Sequence, residues 1–186
     1  MPFKMKFIGY SKKEFVAVGI ILFVIAGLSY GNFAIAERRS RDQQRKAQVA
    51  HVHNMLEKYV EDFGRYPKSS REGQLIACGT DPNNLQPCNW GWDPLKDVSD
   101  PNYPAYIDRL PADPQHGKGV RYMYFSDGIR YQLYASLEGR ADEDEYDETI
   151  EKLGIWCGVR VCNFGKANGR TPLDKSLEEY ENDLKS

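Results

Sequence analysis

FVAVGIILFVIAGLSYGNFAIA, Phe15 to Ala36, is a run of 22 residues without one charged side chain. The hydrocarbon core of a bilayer, ~30 Å thick, is crossed by roughly 20 apolar residues in a helix, so this run is long enough to span it. Its surroundings make it decisive. The other residues are polar enough that the 186-residue chain has a mean hydropathy of −0.63. Twenty-five Lys and Arg nearly balance 27 Asp and Glu. Such a balance offers no global basic field, and no specific nucleic-acid partner is expected. One apolar run excludes a multipass membrane protein and points to a small polar domain carried on a single apolar helix.

Outward from the run, both flanks are basic. Lys4, Lys6, Lys12 and Lys13 precede it, and Glu37-Arg38-Arg39-Ser40-Arg41 follows it. Ala34-x-Ala36 fits the small-x-small rule of a signal-peptidase site, while the length of the run suits a retained signal anchor. A third fate is raised by Glu14, because a carboxylate at a bilayer edge is costly unless it stays in the interface or meets a cation. Gly9, the aromatic Tyr10, Glu14 at the fifth position after Gly9, and then a long apolar helix together resemble the class III signal of type IV pilins and type II secretion pseudopilins. Tyr10 stands where that family prefers Phe, and Lys12 and Lys13 where it prefers apolar residues.

The resemblance implies cleavage by a prepilin peptidase after Gly9, leaving Tyr10 as an N-methylated first residue. Glu14 would pair with the N-terminal ammonium of a neighbouring subunit, which suits a desolvated carboxylate among packed apolar helices. The implied partners are identical or related pilins in a filament, an inner-membrane assembly platform, and membrane lipid before assembly. The runner-up is a membrane-anchored extracytoplasmic binding module that does not polymerise.

Beyond Ala36 no Pro or Gly occurs until Gly64. Val49, Val52, Leu56, Tyr59 and Phe63 recur at three- and four-residue spacing, the mark of one buried helix face, with Ala47, Ala50, Met55 and Val60 widening it. Gly64 and Pro67 stop the helix. A single helix from Tyr10 to Phe63 is expected, ~80 Å long. His51 and His53 point in different directions on it, without the four-residue spacing of a metal pair, and read as surface or partly buried histidines.

Residues 65–118 are Pro-rich loops with four Asp-Pro pairs. Val120–Phe125 and Ile129–Ala135 read as strands, with Asp127-Gly128 between them as a hairpin turn. A third strand is expected within Gly154–Cys157 or Val159–Phe164. Such a sheet needs a cover, and the amphipathic half of the helix supplies it. The expected fold is therefore α+β, a long N-terminal helix packed on a small antiparallel sheet. Phe63-Gly64-Arg65-Tyr66-Pro67, Leu110-Pro111-x-Asp113-Pro114 and Tyr131-x-Leu133-x-Ala135-x-Leu137-Glu138 are also similar to pseudopilin segments. The resulting division is a leader over 1–9, a membrane and polymerisation helix over 10–36, and an amphipathic helix over 37–64. A head over 65–170 and a tail over 171–186, helical or unstructured, complete it.

Nine residues lie between Cys78 and Cys88, and four between Cys157 and Cys162. The wider gap does not suit zinc, and two local disulfides are expected, although four cysteines allow three connectivities. Disulfides place the head outside the cytoplasm and the N-terminus inside. Residues 138–151, EGRADEDEYDETIE, carry eight acids against one Arg. Asp142, Asp144 and Asp147, with Glu138, Glu143 or Glu145 assisting, form a candidate Ca²⁺ loop, placed where secretion pseudopilins carry theirs. The alternative is a solvated acidic loop that meets the Arg38–Lys46 cluster of a neighbour. No nucleophile elbow, phosphate loop or zincin motif occurs, so the expectation is a structural protein rather than an enzyme.

Overall fold

The computed structural model describes residues 12–139, 147–169 and 171–185 of the chain. It divides into two units, residues 1–40 and 41–186. Helix α1 (Lys12–Phe63) contributes to both. Its helical residues match the expected stretch, and it stops where the sequence indicates. Gly64 takes a left-handed φ of 66°, and its N–H donates to the Val60 carbonyl at 2.8 Å. Glycine is the residue that enters this conformation without a Cβ penalty, so it closes the last turn.

In the unit of residues 41–186 the architecture is α+β, with two three-stranded antiparallel sheets. One is built from β1 (Lys68–Ser69), β2 (Leu75–Cys78) and β3 (Gln86–Pro87), in that order. The other takes the order β4 (Met123–Ser126), β5 (Tyr131–Ala135) and β6 (Phe164–Ala167). The two are joined by hydrogen bonds: Tyr124 N–H donates to the Gly73 carbonyl at 2.9 Å, and Ser126 N–H to Ser69 Oγ at 3.0 Å.

Val49, Val52, Leu56 and Tyr59 of α1 are buried in one core with Leu75 and Ala77 of β2 and with Tyr131, Leu133 and Ala135 of β5. The three- and four-residue spacing in the helix and the two-residue spacing in the strand thus meet in one interior. The other face of β5 is covered as well. Tyr134 belongs to a second core with Met123, Ile150, Cys157 and Cys162. Gln132 on that face donates through Nε2 to the carbonyls of Pro172 and Lys175, at 2.7 and 2.9 Å, which ties down the chain leading to α3 (Leu177–Lys185). The tail expected as helical or unstructured is therefore helical over most of its length.

Several local expectations are corrected. β4 starts at Met123 rather than Val120, because Val120 bridges to Gly158 and Arg121 N–H donates to the Cys157 carbonyl at 3.1 Å. The hairpin pairs Ser126 with Tyr131, so its loop is the four residues Asp127–Arg130 rather than a two-residue turn. Asp127 Oδ1 accepts from the N–H groups of Ile129 and Arg130, both at 2.6 Å, and thereby holds Ile129 outside the ladder. The third strand begins at Phe164, where the expected segment ends, since Trp156 and Val161 form only an isolated bridge across the cysteine loop. Ala47 is exposed, and the buried face of α1 continues instead through Asp42, Arg45 and Lys46.

Candidate functional site

Two features of α1 go beyond ordinary core packing. The first is its apolar part. Phe15, Val16, Val18, Ile20–Ile25, Phe33 and Ile35 are all exposed, Phe23 by 81%. Successive residues turn by about 100° around a helix, so a run such as Ile20–Ile25 presents apolar side chains on every side. An exposed apolar surface of this extent marks contact with lipid or with other protein. By length and composition this helix is long enough to cross a membrane. Glu14 lies in its first turn. Gly9 and Tyr10, the residues of the expected cleavage and methylation, lie outside the described residues.

The second feature is a charged cluster sealed inside the head. Arg45 is fully buried. Its Nε donates to Asp113 Oδ2 at 2.7 Å and its Nη2 to Asp113 Oδ1 at 3.0 Å, a two-pronged pairing that suits a planar guanidinium. Nη1 donates to Asp42 Oδ1 and to Glu138 Oε1, each at 2.8 Å. Arg41 grips Glu138 in the same fashion, Nε to Oε1 at 2.6 Å and Nη2 to Oε2 at 2.7 Å. Arg160 lies 3.8 Å from the Glu138 carboxylate. Three guanidinium groups therefore face three carboxylates, and the cluster is close to neutral.

Backbone groups complete it. Asp42 accepts from the N–H groups of Glu138 and Gly139, both at 2.9 Å, and Asp113 Oδ1 accepts from Gln115 N–H at 2.7 Å. One turn of α1 thus fixes two distant loops, the Asp113-Pro114 corner and the exit from β5. The expense of desolvating these charges is met by hydrogen bonds to both partners and to the backbone. Such clusters specify one arrangement of the elements they join more than they add net stability.

The electrostatics follow from this geometry. Burial by itself would lower the pKa of Arg45, but the hydrogen bonds to Asp113 and Glu138 outweigh it and raise it above the ordinary arginine value. Hydrogen bonds from Arg41, opposed by burial and assisted by Arg45, hold the Glu138 carboxyl down to about 2 from its ordinary 4.5. A carboxylate with a depressed folded-state pKa stabilises the fold above its unfolded pKa and loses that contribution as pH falls through the folded value. Thermal unfolding of the full chain followed by circular dichroism should therefore show the Glu138 contribution fading between pH 4.5 and about 2. Glu138→Gln should flatten that part of the profile, and an unchanged slope would contradict the role given to Arg41.

A smaller polar chain sits further along α1. The Tyr131 hydroxyl donates to Glu57 Oε1 at 3.1 Å and lies 2.6 Å from His53 Nδ1, while the Tyr66 hydroxyl donates to Glu57 Oε2 at 3.0 Å. The Tyr131 hydroxyl thus bridges the imidazole of His53 and the carboxylate of Glu57. Burial lowers the His53 pKa, and Glu57 opposes that shift. The two histidines separate as expected, since His51 is exposed and His53 partly buried.

The cysteines form two local disulfides, Cys78–Cys88 and Cys157–Cys162, and zinc ligation by them is thereby excluded. Of the candidate calcium ligands, Asp142 and Asp144 lie outside the described residues. Asp147 caps α2 (Glu148–Lys152), accepting from Thr149 N–H at 2.8 Å. Glu138, expected to assist them, is instead committed to Arg41 and Arg45, because it leaves β5 directly opposite their turn of the helix. Among the described residues no group of three or more His, Cys, Asp or Glu side chains converges to hold a metal ion.

Sequence reasoning missed the Arg45 cluster by treating charge as surface. A signal was present: Asp42, Arg45, Val49, Val52, Leu56 and Tyr59 share the spacing of a single helix face. Compared with protein-family models, curated proteins and solved structures, the chain matches none.

Proposed function

We propose that the chain is a structural subunit of a type IV pilus-like or type II secretion-like filament, assembling through its N-terminal apolar helix. The observation that carries this reading is the helix Lys12–Phe63, apolar and exposed on all sides in its first part and laid into a folded head in its second. A permanent anchor needs the first part alone. A polymerising subunit also needs a way to place a carboxylate among apolar helices, and Glu14 in the first turn supports that role. Packed against copies of itself, the segment exchanges lipid for protein contact, and the carboxylate is compensated by the ammonium of the next Tyr10. In this reading Gly9 is the last residue of a leader, and the head lies on the extracytoplasmic side, where its disulfides persist.

Mass spectrometry of the mature N-terminus, after expression in cells that contain a prepilin peptidase, tests the proposal. A chain beginning at Tyr10 with one added methyl group is the expected result. Retention of Met1, or cleavage after Ala36, would overturn it. In the same cells Glu14→Ala should abolish filaments while leaving the protein in the membrane fraction.

A further inference from the structure

The head has a cleft of about 270 Å³ at the C-terminal end of α1. Tyr59, Phe63, Ile76, Leu85 and Val98 supply its apolar lining. Tyr59 is only 8% exposed, and its hydroxyl makes no hydrogen bond among the described residues. Arg65, Lys68 and Lys96 stand around the cleft, all three exposed and none in an ion pair among the described residues. Asp97, the acid among the residues lining the cleft, is engaged by the Ser99 hydroxyl and backbone N–H, at 2.6 and 2.7 Å. An aromatic floor with an unbalanced cationic rim suits an acidic peptide that carries an aromatic side chain.

The chain contains such a peptide. Residues 140–148, RADEDEYDE, hold six acids around Tyr146. Both ends of this segment are anchored at the opposite end of the covered part of α1. Gly139 N–H donates to Asp42 at 2.9 Å, and Asp147 N–H to the carbonyl of Asn163, whose side chain in turn accepts from Leu137 N–H. From Arg45 to Phe63 the helix rises about 27 Å, at 1.5 Å per residue. The residues between Gly139 and Asp147 span about 28 Å fully extended, so they can move at most about 14 Å from their anchors and back. The segment therefore cannot fill the cleft of its own chain.

We propose that the cleft receives the acidic segment of a second copy of this chain, with Tyr146 on the apolar floor and the flanking carboxylates at Arg65, Lys68 and Lys96. The cleft and the anchors of the acidic segment, Gly139 and Asp147, lie at opposite ends of one head. Their pairing is head-to-tail, the kind of contact that extends into a filament rather than closing into a dimer. The inference rests on the assembly reading for its biological setting, but its chemistry is testable without filaments.

Titration of the full-length protein in detergent micelles with a fluorescein-labelled RADEDEYDE peptide, followed by anisotropy, is the test. Saturable binding at low salt is expected. Lys68→Glu with Lys96→Glu should weaken it about tenfold, and replacing the peptide tyrosine by alanine should weaken it about fivefold. Absence of binding, or binding insensitive to both changes, would overturn the docking. If the chain is cut after Gly9 and polymerises while the peptide does not bind, the docking alone fails. Specific peptide binding by a chain that is never cut upholds the docking and removes the filament reading.

Discussion

Arg45→Ala should lower the stability of the head by about 3–5 kcal/mol, the cost of leaving buried carboxylates without their cation. For a domain of this size each kcal/mol moves the midpoint by about 2–4 °C, so the melting temperature should fall by roughly 6–20 °C. The size follows from the burial of all the parties. Arg45 has a side chain with no exposure, and those of Asp113, Asp42 and Glu138 are 1%, 6% and 9% exposed. An exposed ion pair is worth at most about 1 kcal/mol, so the two descriptions give clearly different outcomes. Arg45→Lys should recover only part of the loss, because an ammonium cannot make the two-pronged bond to Asp113 while also reaching Asp42 and Glu138. The Arg45→Ala deficit should also shrink as pH falls, since a protonated carboxyl is cheaper to bury than a carboxylate. Circular dichroism melts of the full chain across pH provide the check, and a deficit below 1 kcal/mol would show that the cluster is not sealed.

Gly158→Ala should cost about 3 kcal/mol or more, and Gly154→Ala only about 1 kcal/mol, though both glycines are left-handed. Gly158 has a φ of 79°, and a Cβ there would lie 1.9 Å from the backbone oxygen of Gly119. The obstacle is main chain on both sides, so no rotamer relieves it. Separation would break the bridge from Val120 to Gly158 and the bond from Val159 N–H to the Gly119 carbonyl, now 3.2 Å. These contacts join the Cys157–Cys162 loop to the start of the β4 segment, so the strain reaches the second core. Gly154, at φ 66°, has nothing within 4 Å of its absent Cβ and carries only the conformational penalty. Chemical denaturation of the two variants compares them directly, and equal losses would contradict the steric account.

The elements legible in the sequence were those with a repeat. The stripe through Val49, Val52, Leu56 and Tyr59 and the stop at Gly64 gave the covered half of α1 and its end. Alternation in Tyr131, Leu133 and Ala135 gave the buried face of β5. The two local cysteine pairs are bonded as their spacing suggests. Illegible were the features set by partners far along the chain. Val120 and Arg121 have the composition of a strand, yet their backbone groups are taken by the cysteine loop. Gln132 and Tyr134 look like the solvent side of a two-layer fold, but α2, the Cys157–Cys162 loop and the approach to α3 cover them. Glu138 lies in an acidic stretch and reads as a metal or solvent ligand, until the exit from β5 brings it against Arg41 and Arg45.

By itself, the sequence determined the long helix, its change from an apolar to an amphipathic surface, and the α+β composition of the head. Each of these depends on periodicity, capping and apolar length, which neighbouring residues set among themselves. Only the tertiary structure decided that Asp42 and Arg45 extend the buried face and that the acidic segment is anchored some 27 Å of helix from the basic cleft. Charged side chains enter an interior only when partners of opposite sign arrive with them, and Asp113 and Glu138 come from sites 68 and 93 residues away. No local pattern encodes that meeting.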